Sequence, residues 1–254
     1  MKNTLLFLIS GLLTIMPAGC VFADSTNGTP PAEILSSYRC PFSSTPIAVD
    51  GEFKEPVWDK AKTITFVIPE SFKEPISKTE AKIAYDKDYL YVVLKGYDKD
   101  IWAMLAERDS ATCTEDVLEI FFKTASDKDP YFNFEINALG TVYDAYDAKR
   151  GAAGNNKRWS QWNCNGLKVA VKIKGTLDNW TDQDEYWILE AAIPFAELPT
   201  LNGKAPVKGD QWLFNLARYD YSVYLPEGRE LSSSSPLTKV NFHRYEDWRR
   251  LVFD

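Results

Sequence analysis

The chain has 254 residues, with 29 Lys and Arg against 36 Asp and Glu, for a formal net charge of -7. An acidic chain lacks the basic face that phosphate contacts require, which argues against a nucleic-acid binder. Aromatic residues make up 14% of it, including 8 Trp and 13 Tyr; such side chains serve interiors and binding faces alike.

Lys2 is followed by an apolar run from Leu5 to Met16, and Val21-Phe22-Ala23 fits a small-x-small cleavage site before Asp24. Residues 1–23 are therefore expected to be a secretory signal peptide. The run is shorter than the roughly 20 residues of a membrane-spanning helix. Ala18-Gly19-Cys20 resembles the end of a lipoprotein cleavage box. A soluble exported chain, periplasmic or extracellular, is expected, with a form lipid-anchored at Cys20 as the alternative. Residues 24–40 read as a polar tether and residues 41–254 as one domain. Cys40, Cys113 and Cys164 outlast cleavage. In an oxidising compartment one disulfide is expected, its pairing left open. No CxxC or His/Cys spacing suits zinc.

Strands are expected over 63–68, over 82–85 and 89–97 around an Asp86-Lys87-Asp88 turn, and then over 117–122, 131–137 and 141–146. A Gly/Asn-rich loop precedes 167–173, where Val169, Val171 and Ile173 alternate with lysines. Segments 186–193, 212–219 and 250–253 complete the set. Short, regularly spaced strands with almost no helical periodicity predict an all-β fold, an antiparallel, jelly-roll-like β-sandwich. Alternation in EDVLEIFF puts Glu119 on one face with Val117 and Phe121. An unpartnered carboxylate among hydrophobes is costly, which marks Glu119 out.

IAVDGEFKEPVWDKA, AYDKDYLYVVLKGYDKD, EDVLEIFF, WILEAAIPFAEL, GDQWLFNLARYDYS and NFHRYEDWRRLVF occur in that order. Together they resemble the family 9 carbohydrate-binding module and its relatives in bacterial secreted proteins, over about residues 46–253. The resemblance implies non-catalytic binding of sugar-chain ends, two clamping Trp side chains, hydroxyl-binding Glu, Arg and Asn residues, and structural calcium. Asp116 and Glu119 match the D-x-x-E pair. Cys113 and Glu135 stand where the first Trp and the Arg are expected, and His243 stands near the second Trp, with Asn241 a candidate for the Asn. Arg218, Trp102, Trp159 and Trp162 are candidates to rebuild the clamp. Glu119, Arg218, His243 and one of these Trp residues are expected around one concave surface. Calcium ligands stay unassigned; acid-rich loops at Asp127 and Asp129, and from Asp178 to Glu185, are oxygen-rich stretches of the right chemistry.

Other readings weigh against this one. Glu119 paired with Arg218 would be purely structural, and a lone His243 is more often structural than a ligand. Met104 and His243 would serve non-covalent haem in an electron-transfer domain. Glu119 with Glu135 or Asp116 would be the acid pair of a glycosidase. A drifted scaffold for adhesion or assembly would keep the fold without the sugar.

Overall fold

The computed structural model describes residues 28–254, apart from the side chains of residues 155 and 156. The expected signal peptide and Cys20 lie outside the described residues. Among the described residues, twelve strands form two sheets. They are β1 (Tyr38–Cys40), β2 (Ile64–Thr65), β3 (Thr79–Tyr85), β4 (Tyr89–Tyr97), β5 (Val117–Lys123) and β6 (Tyr131–Asn137), then β7 (Val142–Asp147), β8 (Lys168–Lys174), β9 (Tyr186–Pro194), β10 (Gln211–Tyr221), β11 (Arg229–Ser233) and β12 (Arg249–Phe253). One sheet runs β1-β12-β10-β5-β6-β7, with β11 also on β10; the other runs β2-β3-β4-β9-β8.

The β3–β4 hairpin turns where the sequence places it, because the Asp86 side chain accepts the Asp88 and Tyr89 N–H groups, both at 2.7 Å. Between the sheets lies the main core. Leu118, Ile120 and Phe122 of β5 and Phe132, Phe134 and Ile136 of β6 face Val92, Leu94, Trp187 and Leu189 across it. The Phe122 ring stacks against Trp212 at 5.3 Å and against Phe132 at 5.0 Å, a row of rings that interlocks three neighbouring strands. Each buried aromatic removes about 150–250 Å² from water, so this row is a large share of the sandwich's hydrophobic stabilisation.

Both outer faces are also covered in part. The helical turn Pro56–Lys60 packs Trp58 against the smaller sheet with Ile47, Tyr91 and Ile188. On the larger sheet, Leu237, Phe242 and Trp248 of the loop before β12 pack on Phe121, Tyr131 and Ala217. Glu119 lies on this second face, turned away from the partner sheet.

Three expectations on the domain change. The segment read as tether enters the fold: Ala32–Leu35 is a helical turn, and β1 adds in parallel to β12, burying Tyr38 and Cys40. Three residues were too short a run to stand out from the polar stretch before them. β11 was missed because its sequence, RELSS, is polar; it is held by pairing with β10 from Ala217↔Ser233 to Tyr221↔Arg229. Among the described residues no disulfide forms: Cys40, Cys113 and Cys164 are free thiols.

Candidate functional site

Across the outer face of the larger sheet one rung reads Ser233, Ala217, Glu119, Glu135, Tyr143. Two carboxyl groups are thus direct cross-strand neighbours. Like charges so placed repel, and both are buried, Glu119 at 2% and Glu135 at 6% exposure. Burial first, then Glu135, pushes the Glu119 carboxyl well above the usual range. Burial raises Glu135 to about 7, although Asn133 and Thr112 donate to it at 2.9 and 3.2 Å. Burial and proximity thus both oppose ionisation of the two carboxyls together.

Ala217 is the neighbour of Glu119 on β10, and Ala145 lies on the same face of β7. One wall is a rail of rings along β10: Trp102 meets Tyr221 at 6.3 Å, Tyr221 lies parallel to Tyr219 at 6.3 Å, and Tyr219 meets Phe242 at 5.2 Å. Across the sheet, Tyr131, Asp147, Arg150, Trp159, Asn241 and His243 line a pocket of about 230 Å³. Cys113 sits at the rim, its thiol pushed up to about 12 by burial and then by Glu135 and Glu119. Tyr131, Tyr143, Asp147 and Tyr219 were not singled out in the sequence; their signal was strand parity with Glu119.

Trp159, Asn241 and His243 come together at that pocket, and Trp102 stands at the far end of the ring rail, its Nε1–H donating to the Tyr221 carbonyl at 3.1 Å. Two candidates fall elsewhere. Trp162 packs between the sheets, 5.4 Å from Phe132 and 6.1 Å from Phe134 and Tyr146, so it is core. Arg218 pairs with Leu118 in register, one residue out of step with Glu119, and alternation sends it to the opposite face. It cannot share a surface or an ion pair with Glu119. The His243 ring is held in place: its Nδ1 is 2.8 Å from the Tyr131 hydroxyl, and burial with nearby Arg150 lowers it to about 4. Met104, its partner under the haem reading, is 74% exposed and does not line the pocket that His243 lines.

Arg218 instead enters a buried acid cluster. Its guanidinium lies 2.7 Å from Asp98 and 3.3 Å from Asp220, and donates to the Tyr97 carbonyl at 2.9 Å. Asp98, Asp116 and Asp220 each bring one oxygen within 4.8 Å of the others. Asp116 accepts the Trp102 and Tyr221 N–H groups, tying the 98–105 loop to the end of β10. Burial raises Asp98 to about 7 and drives Asp116 well up. Burial opposes the Arg218 charge, and the three acids outweigh that and hold it protonated. Both Asp220 oxygens are buried and accept no hydrogen bond. An all-oxygen set with an orphaned carboxylate and more acid than Arg218 neutralises fits calcium.

The family described as "Carbohydrate family 9 binding domain-like" matches residues 49–248. The chain belongs to this family. Among solved structures this family 9 domain is similar to a Bacteroides uniformis ATCC 8492 protein proposed to bind carbohydrate. The identity is 16%, coverage is 86% of this chain and 99% of that one, and the TM-score is 0.63. It is also similar to a family 9 module from Caldicellulosiruptor kristjanssonii solved with cellotriose, at 17% identity, 85% and 93% coverage and a TM-score of 0.55. The same organism's family 9 module with glucose gives 17%, 85% and 95%, and 0.54. At these identities the likeness shows the fold alone. No curated protein matches the chain.

Proposed function

We propose that this family 9 domain is an exported module that binds carbohydrate, without cleaving it, on the outer face of its larger sheet. The observation that carries the reading is one surface where buried carboxyls form a floor between aromatic walls. Sugar rings present C–H faces that pack on aromatic side chains, and hydroxyls that carboxylates and amides can bind. Glu119 and Glu135 supply the acceptors, Asn241 an amide, and Trp159, Tyr143 and the Tyr219 rail the flat surfaces. The neighbours solved with cellotriose and glucose support the substrate class, and the apolar N-terminal run supports export.

The position of the acid pair favours binding over hydrolysis. A glycosidase holds its bond between two carboxyls; here both rise side by side from one floor, almost fully buried. Calcium would be held by Asp98, Asp116 and Asp220, where its charge would offset the acid excess and brace the 98–105 loop.

Titration calorimetry against mono- and oligosaccharides tests the reading. Saturable binding should weaken about tenfold or more in Trp159→Ala, the loss of one stacked ring costing on the order of 1.5 kcal/mol, while the melting temperature stays put. Silence across the panel would refute it.

A further inference from the structure

The acids of this groove have no counter-charge. Among the described residues Glu119 accepts no hydrogen bond and joins no ion pair, and its oxygens are not among the sealed partnerless atoms of the interior, so its small exposed part includes the carboxylate. The interactions acting on Glu119 and Glu135 are those of other acids, Glu135 and Asp147 respectively, and of the uncharged donors Asn133 and Thr112. Asp147, on the pocket wall with Lys149 and Arg150, is held up to about 6 by burial. Neighbouring cations are committed elsewhere. Arg150 makes a two-pronged pair with Glu246 at 2.6 Å, and Lys149 binds Asp129 at 3.0 Å. Lys123 lies over the Tyr245 ring at 3.9 Å, and Arg218 is on the other face.

Two side-by-side carboxyls, with Asp147 further along the same face, form a cation's binding surface. The Tyr143 and Tyr219 rings stand near the pair, each with its hydroxyl pushed up by burial and then by these same glutamates. An ammonium group offers several N–H donors and a charge that aromatic faces also attract. A neutral ligand would fill the space yet leave the acids uncompensated, which buried carboxylates tolerate poorly.

We infer that the groove takes an amino sugar, with the protonated amine between Glu119 and Glu135 and the ring and hydroxyls against the Tyr131, Trp159 and Asn241 side. The inference rests on the carbohydrate reading and adds the charge of the sugar. The acid floor selects the amine, and the pocket beyond Asp147 selects the ring.

The test is titration calorimetry of the mature protein with glucosamine, N-acetylglucosamine, glucose and ethanolamine. Glucosamine should bind about tenfold or more tighter than N-acetylglucosamine or glucose, because acetylation removes the charge that a buried acid pair rewards. Glu119→Gln and Glu135→Gln should each erase that preference, so that within either variant glucosamine binds no tighter than N-acetylglucosamine. Glucose binding as well as glucosamine in the unmutated protein would overturn the amine inference and leave the carbohydrate reading intact. Ethanolamine binding as well as glucosamine would show a cation site without sugar recognition and overturn both. No binding by any of the four would overturn the inference, and the wider sugar panel then decides the parent reading. Because the ligand comparison is made on the unmutated protein, a variant that fails to fold does not remove the test.

Discussion

Glu135 is raised because burial excludes water from its carboxyl, with Asp147 adding to the effect, and this has a consequence for stability. Its folded value of about 7 lies above the ordinary 4.5. Between those pH values the folded chain holds a proton that the unfolded chain has released, so stability falls as the pH rises through that window. Glu190, also raised to about 7 by burial, acts in the same direction. In Glu135→Gln the loss between pH 5.5 and 8, followed by urea unfolding, should shrink by on the order of 2 kcal/mol. Parallel pH dependences in the two proteins would sink the account of a raised Glu135. His243 has the opposite sign, since its folded value of about 4 costs stability as the pH falls below 6.5. Comparing the variant with its parent cancels that contribution.

At the scale of strands, β10 carries two unlike functions on its two faces because side chains alternate. Ala217 and Tyr219 face the groove, while Arg218 and Asp220 turn toward the other sheet and the end of β4. Gly96 on β4 makes room for the guanidinium: a Cβ there would stand 3.1 Å from the Arg218 Cζ and Nη1. Gly96→Ala should therefore destabilise by about 1–3 kcal/mol through overpacking. Arg218→Met should cost about 3–5 kcal/mol, because it strands Asp98, Asp116 and Asp220 without a cation. Chemical denaturation ranks them, and a Gly96→Ala protein as stable as its parent would mean the guanidinium has slack. Neither change touches the acid floor, so sugar affinity should persist wherever the variant folds. The element boundaries were legible where a strand had apolar alternation and a turn residue to end it, as in β4, β6 and β9. They were illegible for β1 and β11, whose short or polar sequences become strands only because a neighbour offers free N–H and C=O groups.

For the whole molecule, calcium at the Asp98–Asp116–Asp220 cluster would tie the 98–105 loop to both sheets, since Asp98 follows β4 and Asp116 precedes β5. Millimolar calcium should raise the melting temperature by ~5–10 °C, the shift expected at roughly a hundredfold excess over the dissociation constant. Asp220→Asn should abolish the rise; a chelator that leaves the unmutated protein unchanged would count against the ion. The linear sequence determined the sandwich, because strand periodicity and turn residues are local properties that each segment carries with it. It also singled out Glu119, since a carboxylate among alternating hydrophobes is anomalous in any register, and it identified Cys113 and Glu135 as departures from the family's clamp. Only the tertiary structure decided which candidates share a surface. A one-residue difference in register sends a side chain to the other face of a sheet, so Arg218 went to the acid cluster and Trp162 to the core. Glu119 gained as its neighbour not a cation but a second acid, because cross-strand partners come from segments that the sequence keeps apart and only folding brings together.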